Sequence, residues 1–249
     1  MGLFGGVQRG PKAHSGSAWD ASEPLVPLLE GPMDLPDARV SARAEVRVIA
    51  GIAKGRPLRS IESRSVRPTS DKVKGAIFSM LEAEAYKRGL AEPDYLVRVE
   101  RGEKAFPWRR VLDLYAGSGA LGIEALSRGA EWVDFVEADA RAREAIAENL
   151  KRTGLTGRAR IHAMRAETAI STFATPYDLI LMDPPYDEPA LESVFRQLCE
   201  STLVEASTFV VLEHSRQRAV PSSCGPLVLL KTRFHGRTGI SIYAMRRQE

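Results

Sequence analysis

Between residues 110 and 212, short apolar runs alternate with stretches whose apolar positions recur at helical spacing. Val111–Tyr115, Trp132–Val136, Arg158–Ala163, Tyr177–Met182 and Thr208–Leu212 are short segments between the helical stretches and are predicted as strands. Helices are predicted between them, near 120–128, 139–151, 167–173 and 188–200. Leu227–Lys231 and Ile240–Met245 predict two further strands paired as a hairpin. Regular alternation of strand and helix builds a mainly parallel sheet with helices on both faces. The predicted class is α/β, a doubly wound sheet of about seven strands. Ligands of such sheets sit at the carboxyl ends of the strands.

Upstream of this block, Val46–Ala50 and Arg56–Ser60 predict a small hairpin around Gly51–Gly55. Arg67-Pro68-Thr69-Ser70-Asp71 is a helix-start signal, with Thr69 or Ser70 as the cap. Val73, Ile77, Met80 and Leu81 then give the following helix one apolar face. Residues 87–109, with prolines at 93 and 107, read as a polar connector. Residues 1–45 are rich in Gly, Pro, Ser, Ala and Asp and show no sustained period, so they read as a disordered extension. The expected organisation is that extension, a hairpin and helix packed on the core over 46–86, the connector, and the α/β domain over 110–249.

Composition adds constraints. Hydrophobic residues make up 44% and charged residues 27% of the 249, an ordinary balance for one soluble α/β domain. No apolar run approaches the ~18 residues of a membrane helix, and the N-terminus lacks a secretory pattern. Cys199 and Cys224 have no metal-type spacing, which predicts a reduced, cytoplasmic protein without a metal. The net charge is only +3, but it is unevenly spread. Residues 46–75 carry Arg47, Lys54, Arg56, Arg59, Arg64, Arg67, Lys72 and Lys74 against Glu62 and Asp71. Residues 231–249 carry Lys231, Arg233, Arg237, Arg246 and Arg247 against Glu249. Two basic clusters fit a polyanion partner; a plain solvated surface explains them equally well.

Gly117-Ser118-Gly119-Ala120-Leu121-Gly122 has G-x-G-x-x-G spacing between a predicted strand and helix. Small residues there allow close backbone approach to a nucleotide. Glu137 follows Gly117 by 20 residues, at the end of the next strand, where its carboxylate can accept both ribose hydroxyls of an adenosine. A dinucleotide-binding dehydrogenase, or a tight turn without a ligand, has the same spacing. Asp113, four residues before Gly117, favours S-adenosylmethionine. Its carboxylate can meet an ammonium group or its water shell, whereas it would repel a pyrophosphate.

The most specific element is Leu179-Ile180-Leu181-Met182-Asp183-Pro184-Pro185-Tyr186, an apolar strand running into an acid, two prolines and an aromatic. Pro184 biases Asp183 towards an extended conformation, and the prolines stiffen the turn. An exocyclic amino group of a purine is a poor nucleophile because its lone pair is delocalised into the ring. The Asp183 carboxylate and the Pro184 carbonyl can accept its two hydrogens and aim the lone pair, while Tyr186 stacks on the base. A turn that merely ends a buried strand is the plain alternative.

With these residues in place, the chain resembles the RsmD-type 16S ribosomal RNA guanine-N2 methyltransferases. The resemblance covers roughly residues 46–247. It rests on Arg47-Val48-Ile49-Ala50-Gly51 with Gly55-Arg56, on Arg67–Val73, on Asp113–Ala130 and on Asp183–Tyr186. It implies a class I methyltransferase fold and S-adenosylmethionine as donor. It also implies a guanine of 16S rRNA as acceptor, in the small ribosomal subunit or an assembly intermediate, with no membrane or metal and a monomeric enzyme. By this match Thr69, Ala116, Gly117, Gly119, Gly122, Arg165 and Ala166 would join Asp113 and Glu137 around the donor. Asp183, Pro184 and Tyr186 would be catalytic. Arg47, Arg56, Arg67, Lys72 and Pro185 would face the RNA, as would His235 and Arg237 from a late loop, Arg233–Thr238.

Three features depart from the family pattern: the long 87–109 connector, residues 1–45, and Arg165 where relatives carry a small amide or acid. Relatives usually begin with Met where Val46 stands, so residues 1–45 are expected to be dispensable. His162, His214, Trp108 and Trp132 are expected to be structural. A DNA adenine-N6 methyltransferase would need an inserted target-recognition region, which the sequence lacks. A nicotinamide oxidoreductase would leave Asp-Pro-Pro-Tyr unused. A non-catalytic RNA-binding assembly factor would not need that element intact.

Overall fold

The computed structural model describes residues 46–61, 70–103, 105–186 and 188–246. Arg67, Thr69 and the 1–45 extension lie outside the described residues. Apolar runs too hydrophobic for a one-sided sheet became central strands: β1 (Arg110–Leu114), β2 (Trp132–Val136), β4 (Leu179–Met182) and β5 (Phe209–Ser215) are almost wholly buried. Together with β3 (Ala159–His162) they form the parallel part of the sheet. The full order is β3-β2-β1-β4-β5-β8-β7-β6. β6 is Ser223–Cys224, and β7 (Leu227–His235) and β8 (Thr238–Met245) form an antiparallel hairpin.

The chain builds outward from β1 through β2 to β3, then returns to place β4 on the other side of β1. That reversal opens a crevice at the carboxyl ends of β1 and β4, the usual ligand position in such sheets. The register pairs Leu114 with Val136 on one side and with Met182 on the other. The residues that follow each strand, beginning Tyr115, Glu137 and Asp183, therefore emerge side by side.

The helices follow their apolar stripes. α3 (Ala120–Ser127) and α4 (Ala140–Thr153) connect the first strands, and α5 (Ala166–Thr172) and α6 (Leu191–Cys199) the later ones. Asp139 caps α4 by accepting the Ala142 N–H at 2.9 Å, and Gly154 ends it at φ 74°. α1 (Asp71–Lys87) is capped by Ser70, whose side chain accepts from Val73 N–H, and it buries Val73, Ile77, Met80 and Leu81 as expected.

Sequence and structure differ at three places. The connector is not wholly irregular: α2 (Tyr95–Glu100) buries Tyr95 and Val99. Tyr95, Phe106, Trp108 and Phe209 then form a chain of ring contacts, with centroids 6.0, 5.3 and 5.5 Å apart, that fastens the connector to β5. A helix of six residues has under two turns, too few for a periodic signal. Among the described residues the sheet has eight strands rather than about seven, because two-residue β6 adds to β7 at the edge. The β7–β8 hairpin is also longer than its apolar runs, since polar residues on a partly buried strand near the sheet edge still complete the ladder.

Val46–Leu58 does form a hairpin. Val48 N–H donates to Arg56 O (3.0 Å), Gly55 N–H to Val48 O (2.8 Å) and Leu58 N–H to Val46 O (2.7 Å). It docks on α3. Gly51 has φ 78°, and a Cβ there would lie 1.8 Å from Ser127 O, so only glycine fits this approach. The basic cluster is smaller than the composition implies. Lys74 is fully buried and bonds Arg47 O, with Asp71 at 3.4 Å and Glu124 at 3.9 Å. Burial lowers its pKa, opposed by Glu124 and Asp71. Arg47 pairs with Asp71 and Arg59 with Glu148, while Lys54, Arg56 and Lys72 remain exposed. Among the described residues, no helix is long and apolar enough to cross a membrane.

Candidate active site

The loop after β1 is held from four directions. Ala116 N–H donates to Val136 O (3.1 Å) and Gly119 N–H to Ala116 O (2.7 Å). Gly117 N–H donates to the Glu137 carboxylate (2.8 Å), whose other oxygen takes Asp139 N–H (2.8 Å). Gly122 N–H donates to Asp113 Oδ2 at 2.9 Å. Gly117 and Gly119 both have positive φ, 56° and 79°. A Cβ on Gly117 would meet nothing closer than Tyr115 O at 4.0 Å, so its face is open. At Gly122 a Cβ would lie 2.4 Å from the Phe135 ring, so that glycine serves helix-on-sheet packing.

Asp113 is placed differently from the expectation of a ligand-facing carboxylate. It is 1% exposed and braces the loop from inside through Gly122. Burial pushes its pKa up to about 8, the Gly122 hydrogen bond opposes this, and Asp183 and Glu137 add repulsion. The repulsion brings the acid near the end of β1 and the acids that follow β2 and β4 into one field. Tyr115 carries no sequence signal beyond ending a strand, yet it has φ 61°, a left-handed conformation uncommon outside glycine. Its hydroxyl is buried without a hydrogen-bond partner among the described residues, and burial raises its pKa.

Across the crevice, Asp183 is half-buried, Pro184 buried and Tyr186 37% exposed. The Tyr186 hydroxyl is hydrogen-bonded to that of Thr238. Thr238 opens β8 just after the turn that carries His235 and Arg237, both exposed. The late loop therefore does reach the Asp-Pro-Pro-Tyr turn, with Thr238 as the contact. Pro185 O accepts Glu188 N–H at 2.9 Å, which closes the turn. Arg165 holds the N-cap position of α5 with its side chain exposed, and Ala166 behind it is buried.

The four residues expected to be structural pack as such. His162 Nε2 meets Asp134 Oδ1 at 2.8 Å, and Trp132 Nε1 meets the other oxygen of Asp134 at 3.0 Å. His214 bridges Ser215 O and Ser241 Oγ, both at 2.9 Å. Trp108 lies between Phe106 and Phe209.

A doubly wound sheet extended by an antiparallel hairpin, with a glycine loop after its first strand and an acid-proline turn after its fourth, defines a class I methyltransferase. The chain belongs to the family described as conserved hypothetical protein 95, whose model matches residues 46–244, and is an RsmD-type methyltransferase within it. A Bacillus subtilis protein named as an rRNA methyltransferase, YlbH, is 38% identical over 81% of this chain and all of its own length. The ribosomal RNA small subunit methyltransferase D of Escherichia coli strain K12 is 27% identical over 82% of this chain and 91% of its own. A solved structure described as the Escherichia coli methyltransferase yhhF superposes with a TM-score of 0.65 at 25% identity, covering 82% of this chain and all of that one.

Proposed function

We propose that this protein transfers a methyl group from S-adenosylmethionine to the exocyclic N2 of a guanine in 16S rRNA, within the small subunit or an assembly intermediate. One observation carries the reading: the Asp183–Tyr186 turn stands beside the glycine loop, because β4 and β1 are parallel neighbours in register. The names of the relatives support the RNA substrate.

The residues present fit the donor. Gly117 offers an open backbone face, and each Glu137 oxygen keeps a second lone pair for a ribose hydroxyl. Thr69, Arg165 and Ala166 would complete this side. When bound, the donor supplies an activated methyl on a sulfonium, so the protein's tasks are orientation and electrostatics. Asp183 and the Pro184 carbonyl accept the two hydrogens of the guanine amine and hold its nitrogen towards the methyl. Asp183 would take the one proton that the amine sheds as its nitrogen gains the methyl and the donor's methyl–sulfur bond breaks, the bonding pair staying on the departing thioether, and would pass that proton to water. Tyr186, its hydroxyl anchored on Thr238, presents a ring for the base, a contact worth about 1–3 kcal/mol. Pro185, His235 and Arg237 would border the acceptor base. Arg47, Arg56, Arg67 and Lys72 supply phosphate contacts.

The test is incubation with labelled S-adenosylmethionine and small subunits or rRNA from a strain lacking the modification, then mapping of the label. Label on a guanine N2 is expected. Label on an adenine, or transfer only to DNA, would overturn the reading.

A further inference from the structure

Asn149 lies on α4 and is wholly buried. Its Oδ1 accepts Arg59 N–H at 2.7 Å, and its Nδ2 donates to Arg59 O at 3.0 Å and to Ser118 O at 2.9 Å. The amide thus uses its carbonyl and both hydrogens. Toward Arg59 it acts as a strand partner would, taking the N–H and satisfying the C=O of one residue. Arg59 directly follows the second arm of the N-terminal hairpin, whose last bond is Leu58 N–H to Val46 O. Ser118 is the middle of the glycine loop. One side chain joins the two.

The join matters because of what flanks Ser118. Gly117 and Gly119 both occupy the left-handed region, so no side chain there opposes rotation of the intervening peptides. Gly119 N–H is fixed on Ala116 O, and Asn149 fixes the carbonyl of the same peptide from the opposite side. Without it the Ser118 carbonyl loses its buried donor and is free to turn towards the open face of the loop.

Other buried side chains hold the hairpin without touching the loop. Glu124 accepts Ile49 N–H (2.8 Å) and Ala50 N–H (3.0 Å). Ser127 Oγ accepts Ala53 N–H (2.9 Å) and donates to Ala50 O (2.5 Å). They separate docking of the hairpin from positioning of the loop.

We propose that Asn149 is a positioning residue that locks the glycine loop to the N-terminal arm, so that the donor loop and the arm move as one unit. That the arm faces RNA rests on the function proposed above; the contact with the loop does not.

The test is calorimetric binding of S-adenosylhomocysteine to the full chain, comparing Asn149→Ala and Asn149→Asp with Ser127→Ala at a temperature where each is folded. Asn149→Asp keeps the acceptor for Arg59 N–H but cannot donate to Ser118 O. Both Asn149 variants are expected to bind about tenfold or more weakly, and Ser127→Ala within about twofold of wild type. Equal affinity in either Asn149 variant, or an equal loss in Ser127→Ala, would overturn the positioning role. A measurement on the wild-type protein covers variants that do not fold. Adding S-adenosylhomocysteine is expected to slow amide exchange at residues 58–61, and unchanged exchange there would reject the coupling. Wild type that does not bind S-adenosylhomocysteine would sink the methyltransferase function and this inference with it. Binding without transfer to RNA would sink only the RNA reading.

Discussion

Asp183 stands at the mouth of the crevice, half-buried and close enough to Asp113 to raise its pKa. Its proposed partner is the acceptor amine rather than the donor. Asp183→Ala is therefore expected to abolish methyl transfer while S-adenosylhomocysteine still binds in calorimetry; wild-type turnover would remove Asp183 from the chemistry. Asp113 has the contrary role, inside the loop, and yields a prediction about stability. The folded protein holds the Asp113 proton up to about pH 8, the unfolded chain only to its ordinary value of 3.8. Between those values the folded state binds the extra proton, so the Asp113 contribution to stability falls as pH rises through that window. Asp113→Asn removes the titration and can still accept Gly122 N–H. Its urea midpoint should lose less than that of wild type across the window. Parallel profiles for the two proteins would show that Asp113 is ionised throughout.

The hairpin is the element on which charge and packing must be separated. Lys74, on α1 beside the hairpin, counts towards the same basic cluster in sequence but is buried among Arg47 O, Asp71 and Glu124, and it cannot meet a phosphate. Arg47 and Arg59 are exposed yet paired. Arg56 and Lys72 are exposed and remain the better phosphate ligands. Reversing both to Glu is expected to raise the KM for RNA and flatten its dependence on salt, because fewer counterions are released from phosphate. The same salt slope in mutant and wild type would reduce this surface to a solvated face. Gly51 tests the packing side. Its φ of 78° and the 1.8 Å approach to Ser127 O mean that Gly51→Ala must shift the backbone. A loss of about 1–3 kcal/mol in unfolding free energy is expected, the range for a residue forced into a disfavoured conformation. A melting temperature equal to wild type would show that the hairpin does not rely on this contact.

At the scale of the whole molecule, the family match sets the bounds. The match starts at residue 46, and Val46 is already buried, its carbonyl taken by Leu58 N–H. We propose that residues 1–45 are dispensable and that the hairpin, α1 and the α/β domain act as one body. A chain beginning at residue 46 should keep full activity; a large loss would give the extension a role in catalysis or RNA access.

The sequence by itself determined the alternation of strands and helices between residues 110 and 212 and the closing hairpin, because apolar periodicity is local and survives without knowledge of neighbours, whereas α2 and β6 are too short to carry a period. It also marked the glycine loop, Glu137 and Asp183–Tyr186, since these chemistries need particular residue types at fixed spacing on one short segment. A further signal was present in principle: Asn149 interrupts the buried stripe Ala142, Ala145, Ile146, Leu150 of α4, a polar residue where the helix faces the core. What it bonds to was not legible, because Arg59 and Ser118 lie 90 and 31 residues away in the chain. The same limit applies to Lys74, which composition counts as a surface charge until Glu124 and Asp71 close around it. It applies to Asp113, whose ligand-facing or inward direction depends on where α3 settles. Only the tertiary structure decided these points, since the partners of a buried polar group are set by long-range packing, where leaving it unpaired costs about 1–3 kcal/mol.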